Sequence, residues 1–137
     1  MTAVNATSEA KRGGVLVRVG SVLHFVPASI AIAVAPAPKI ARVAGAPPAL
    51  LGVALHDGDV VPVIAIGDGH VGVMLVCGYM GEKIGLMGGR VEGTGVYEVD
   101  RDAPDAVVHA GERATTLDVA AAYAGVQGEG WAGRWRA

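Results

Sequence analysis

Short apolar runs, each stopped by glycine or proline, constrain this chain more than any other feature. VLVRV (15–19), IAIAV (30–34), LLGVALH (50–56), VVPVIAI (60–66) and VMLVC (73–77) are five to seven residues long. That is strand length, too short for a typical helix, and valine and isoleucine dominate. The 137 residues include 21 glycines and 7 prolines that separate such runs. The pattern predicts one all-β domain of about nine or ten short strands, at barrel or sandwich spacing. With aromatics at only 4%, its core must be built from Val, Ala, Leu and Ile.

Gly20-Ser21 predicts the turn of a first hairpin, with Val15, Val17 and Val19 on one face. Ile30, Ile32 and Val34 share a face of the next strand, which Pro36 and Pro38 end. KIARV (39–43) reads as a short strand and AGAPPA (44–49) as a bend. Strands flank Asp57-Gly58-Asp59, the GYMGE segment (78–82) and Gly111-Glu112, and RVEGTGVYEV (90–99) resumes after Gly88-Gly89. Asp118 is the expected N-cap of a short helix over 118–124. Residues 1–13 read as a disordered arm, 14–126 as the domain and 127–137 as a tail containing Gly and Trp. Pro62 removes a ladder donor, so its strand is expected at a sheet edge or where it leaves a sheet.

Net charge is −2 with no basic cluster, which argues against a nucleic-acid partner. A single cysteine, Cys77, leaves no disulfide framework and fits a reducing compartment. The first residues, MTAVNATSEAKR, contain no apolar signal region, and the proline-broken stretch 25–38 falls short of a membrane span. A cytoplasmic protein without direct membrane insertion is expected.

No catalytic constellation stands out. His24, His56, His70 and His109 show no metal-ligand spacing, and Cys77 has no CxxC partner. His24 reads as a packed strand histidine and Cys77 as a buried thiol. His56-Asp57-Gly58-Asp59 and Asp68-Gly69-His70 could form an acid/base pair or gather a cation. Asp-Gly is also a common hairpin corner, and the corner is the simpler reading. Trp131 and Trp135 in the tail either pack on the protein's own barrel or anchor a partner. From the residues alone, this is a β-barrel interaction domain with no metal and no cofactor.

The stretch HFVPASIAIAVAPAPKIARVAGAPPALLGVALHDGDVVPVIAI (24–66) resembles the first half of a CheW-like domain, the chemotaxis coupling protein family. The carrying features are Gly20-Ser21, the strand Ile30–Val34, Ile40–Val43, Pro47-Pro48, Gly52-Val53, Gly58 and Pro62-Val63-Ile64. KIGLMGGRV (83–91) and GERATTLDVAAAY (111–123) resemble later family strands and the opening of its helix, so the resemblance covers residues 15–124.

The resemblance implies two intertwined, SH3-like, five-stranded barrels and a short C-terminal helix. It implies a non-enzymatic adaptor that couples chemoreceptors to a CheA-type histidine kinase. Its partners would be the kinase's regulatory domain, through Val15, Ala28 and Ala31, and the chemoreceptor's cytoplasmic tip, through Ala33 and Asp57. The chain departs from the family pattern at these points. Asp57 replaces the arginine of a Leu-Arg-Gly turn, Gly88-Gly89 replaces Val-Asp, and Ala33 replaces a frequent acidic residue. About twenty family residues are missing between VYEV (96–99) and AVVHA (106–110), so the second barrel is expected to be shortened. Two alternatives remain. One is a divergent member that binds a kinase or another CheW-like domain but no standard receptor. The other is a small metal-binding or enzymatic barrel using His56, Asp57, Asp59, Asp68 and His70.

Overall fold

Among the described residues, ten strands and one short helix carry the regular structure. The computed structural model describes residues 11–67 and 72–126, in two compact units. Ala31 ends the first segment of unit one, which resumes over Arg90–Leu117; unit two holds Ile32–Gly89 and the chain from Asp118. The strands are β1 (Lys11–Val19), β2 (Val22–Pro27), β3 (Ala31–Pro36), β4 (Leu50–His56), β5 (Asp59–Ala65), β6 (Val73–Tyr79), β7 (Glu82–Met87), β8 (Arg90–Val99), β9 (Ala106–His109) and β10 (Glu112–Thr116). The helix is α1 (Val119–Ala124). Asp118 caps it as expected, its Oδ1 accepting from the Ala121 N–H at 2.9 Å.

Unit one is a closed barrel in the order β1-β2-β10-β9-β8. All its ladders are antiparallel except β10 on β2, which is parallel. Closure leaves no free sheet edge in this unit. Leu16, Leu23, Phe25, Val107 and Ala114 fill the interior, and Tyr97 packs against them. Phe25 sets the interior spacing: its ring lies so near β1 that a Cβ on Gly14 would sit 2.7 Å from it. β1 starts earlier than expected. Lys11, Arg12 and Gly13 pair with Glu98, Tyr97 and Val96 instead of belonging to a disordered arm. Residues 1–10 lie outside the described residues.

The connection expected to be short lies here, between β8 and β9. Asp100, only 9% exposed, ties it down. Its carboxylate accepts from the Asp102 N–H at 2.8 Å and from Arg113 Nε at 2.6 Å, while its N–H donates to the Ala106 carbonyl. These bonds satisfy the tight loop internally, so five strands remain without a longer excursion.

Arg18 on β1 ties neighbouring strands together at the barrel surface. It donates to Glu92 of β8 at 2.6 Å and to Glu112 of β10 at 2.8 Å, and Arg90 also reaches Glu92. These hydrogen bonds, Arg18 first, hold the Glu92 carboxyl down at about 2. A carboxyl depressed in the folded state stabilises fully above its unfolded pKa and loses that contribution as pH falls through the folded one. Thermal melts of the wild type should therefore weaken between pH 4.5 and about 2, the ordinary and shifted values. Glu92→Gln should show a shallower fall over the same range. Identical slopes would mean that the pair adds nothing to folding.

Unit two is a five-stranded sheet in the order β3-β6-β7-β5-β4. It stands where the second barrel is expected, and among the described residues β3 and β4 end its strand order. Ala54, Val61, Val63, Met74, Val76 and Met87 form a buried cluster. Three hairpins use two-residue corners with both residues at positive φ: Asp57-Gly58 (49° and 82°), Met80-Gly81 (54° and 79°) and, in unit one, Ala110-Gly111 (52° and 78°). Such corners match the strand twist and favour Asp-Gly strongly.

β5 is not an edge strand; it lies between β7 and β4. Val53, opposite Pro62, spends both its backbone groups on Ala41, at 2.8 Å each. The Val53–Pro62 pair is therefore not hydrogen-bonded, and Pro62 turns its missing donor toward the β7 side. There the ladder begins only at Val63. Residues 39–43, expected as a strand, contribute the single bridge Ala41–Val53. Prolines upstream and downstream withhold ladder donors, and Gly52 (φ 149°) lets the Ala41 backbone close in where a Cβ would collide with it.

Candidate functional site

In the closed barrel, the residues expected to meet a kinase differ in what they expose. Val15 is only 8% exposed and belongs to the core. Ala28 is exposed in the turn between β2 and β3, and its N–H donates to the Gly13 carbonyl at 2.9 Å. Ala31, the first residue of β3, is half-buried. Ala28 and Ala31 thus remain as the small residues that reach the surface, while Val15 is buried. Strand alternation alone could not tell these apart, because Val15, Leu16 and Val17 are all buried once the barrel closes.

In the second unit, Ala33 and Asp57 also part company. Ala33 packs against the buried cluster of Ala54, Val61 and Met74. Its neighbours Ile32 and Val34 are 52% and 41% exposed. The strand shows its larger apolar side chains outward and its alanines inward. Gly78 on β6 explains part of this, since Ile32 Cδ1 lies where a Cβ there would be 3.2 Å away. The small residues between large ones were the signal in the sequence: an apolar strand with two apolar faces leaves the choice to its neighbour.

Asp57 is the hairpin corner, its side chain 80% exposed. His56 Nε2 stands 3.5 Å from its carboxylate, too far for a strong hydrogen bond. Asp59 pairs instead with Lys83 at 2.8 Å, which lowers the carboxyl pKa and raises that of the amine. Asp68 and His70, the other half of the conceivable cation site, lie outside the described residues. Among the described residues no group of three or more His, Cys, Asp or Glu could hold a metal. Cys77 is fully buried, and that burial pushes its thiol up to about 12, far from a nucleophile. His24 is half-buried in β2, and its buried Nδ1 has no hydrogen-bond partner among the described residues.

Beside the Asp57 corner runs a groove of about 550 Å³, lined by Pro38, Lys39, Ile40, Ala41, Val53, Ala54, Leu55 and Val60. Leu55 and Val60 face each other across the hairpin and are 70% and 54% exposed. Large apolar side chains exposed together mark a surface that something covers. The sequence reading missed them because a strand pair near a charged turn resembles any other strand pair.

No family model and no curated protein sequence matches the chain. A solved structure does: scaffolding protein TtCheW from Thermoanaerobacter tengcongensis, with a TM-score of 0.63 and 14% sequence identity. The match covers 78% of this chain and 89% of TtCheW. The fold is CheW-like. The expected all-β architecture is borne out with a closed five-stranded barrel, a second five-stranded sheet and one short helix. No helix among the described residues is long and apolar enough to cross a membrane.

Proposed function

We propose that this chain is a non-enzymatic scaffold of chemotaxis-type signalling that binds a CheA-type histidine kinase through the regulatory domain. The observation that carries this reading is the CheW-like fold extending over 89% of a scaffolding protein. Consistent with it, the exposed features of each unit are apolar surfaces, while the thiol is buried and the histidines are dispersed. Coupling is tested by sedimenting receptor-containing vesicles with kinase, with and without this protein. A scaffold brings additional kinase down with the vesicles; unchanged kinase in the pellet contradicts coupling.

Asp57 favours a second reading, a member that engages the kinase but not a conventional receptor tip. A carboxylate 80% exposed at a corner where typical members carry arginine reverses the charge offered to the receptor. Like charges brought together at an interface cost several kcal/mol. Asp57→Arg should therefore raise affinity for a conventional tip by about tenfold or more, near 1.4 kcal/mol. Stability should fall by only about 1 kcal/mol, because the exposed side chain loses no packing while arginine tolerates the positive φ of the corner less well than aspartate. Calorimetric titration of both forms against one receptor fragment measures this. Tight wild-type binding that weakens on substitution would remove the reason for the second reading.

A further inference from the structure

Met80 and Leu55 are the most exposed large apolar side chains among the described residues, at 81% and 70%; the tail tryptophans Trp131 and Trp135 lie outside those residues. Both exposed side chains stand at one end of the unit-two sheet. β5 and β7 run parallel, and each is entered from a two-residue corner, Asp57-Gly58 before β5 and Met80-Gly81 before β7. The two corners therefore share an end of the sheet. They are two strand spacings apart, roughly 10 Å.

The corners differ in how well their residues suit the turn. A corner with both residues at positive φ favours Asp-Gly, and Asp57 complies. Met80 takes a φ of 54° against that preference and holds a long apolar side chain out in water. Such a break with the local rule points to a contact. Methionine suits an irregular apolar cavity, because its thioether chain is flexible and polarizable. The groove of about 550 Å³ at the other corner is such a cavity, with Ile40, Leu55 and Val60 in its lining. Within one chain the two strand spacings exceed what a methionine side chain spans, so a groove that receives Met80 belongs to another copy.

Charge decides how that copy sits. Lys83 of β7 and Asp59 of β5 lie between the corners and pair at 2.8 Å, both still reaching solvent. A two-fold axis along the sheet normal, just beyond this end and midway between the corners, sets β7 of each copy against β5 of the other. Met80 then meets the other copy's groove corner, and Lys83 meets the other copy's Asp59. Four charges of alternating sign gather at the axis, with no like pair opposed. A two-fold contact is self-complementary and closes at the dimer.

We propose that two copies of this chain associate end to end through unit two, each inserting Met80 into the other's groove at Leu55 and Val60, around a two-fold axis lined by Lys83 and Asp59. The sheet end is narrow, so the dimer belongs to the weak, transient class. The contact uses only the chain's own surfaces and is independent of the scaffold role.

Sedimentation velocity of the full-length protein over about a hundredfold range of concentration tests it. The wild type should pass from monomer to dimer and grow no further. Met80→Asn supplies a residue the corner prefers, so it should melt no lower than wild type yet stay monomeric. Leu55→Asp should be monomeric as well. Lys83→Asp and Asp59→Lys should each be monomeric alone, whereas an equimolar mixture of the two should form dimers, because each like-charge opposition becomes an attraction. A wild type that stays monomeric throughout overturns the proposal, as does growth past the dimer. So does a dimer that survives either Met80→Asn or Leu55→Asp, or a mixture of the charge variants that remains monomeric.

Discussion

Phe25→Ala is expected to cost about 3–5 kcal/mol of folding stability, the range for removing a buried aromatic ring. Phe25 is the chain's one phenylalanine and has no exposed surface. Its ring meets Tyr97 edge-on with centroids 6.3 Å apart, and the Arg12 guanidinium lies 5.2 Å from its centroid. The barrel cannot collapse into the space left behind, because every strand is hydrogen-bonded to two neighbours around the ring. The cost therefore includes the cavity as well as the lost transfer energy. A domain of this size is typically stable by about 5–15 kcal/mol, so the variant should be marginal. Urea unfolding followed by circular dichroism gives the number. A loss below about 1 kcal/mol would mean that the barrel does not close around this ring.

The second large effect concerns binding. Ala28→Glu should weaken the complex with a histidine kinase regulatory domain by about 2–3 kcal/mol, because a charge buried without a partner in an interface core is costly. Ala28 is the better probe of the small-residue surface. It is exposed in a turn, so the glutamate meets solvent in the free protein, whereas Ala31 is half-buried and Val15 is core. A charge at Val15 would damage the barrel and say nothing about binding. The melting temperature of Ala28→Glu should stay close to wild type, which separates an interface effect from unfolding.

The architecture was legible because its signals are local. Alternating valines, the Gly20 and Asp57-Gly58 corners and the Asp118 cap each act within a few residues, and each occurs where expected. What the sequence hid depends on partners far along the chain. KIARV has strand composition, yet only Ala41 pairs, because its neighbours lack donors and Gly52 admits one close approach. Pro62 sits inside the sheet because Val53 has already turned its backbone to Ala41. The outward choice of Ile32 and Val34 over Ala33 was likewise undetermined, since both faces of that strand are apolar. At the candidate site, Asp57 could be read as an exposed corner, but the groove beside it requires three separate segments to be brought together.

The claim that this CheW-like chain is a kinase scaffold rests most directly on one titration: a CheA-type regulatory domain into full-length wild-type protein, followed calorimetrically beside Ala28→Glu. The account predicts saturable one-to-one binding by the wild type and a loss of about thirtyfold or more for the variant, at least 2 kcal/mol. No heat of binding with the wild type, or equal affinity for both forms, would contradict it.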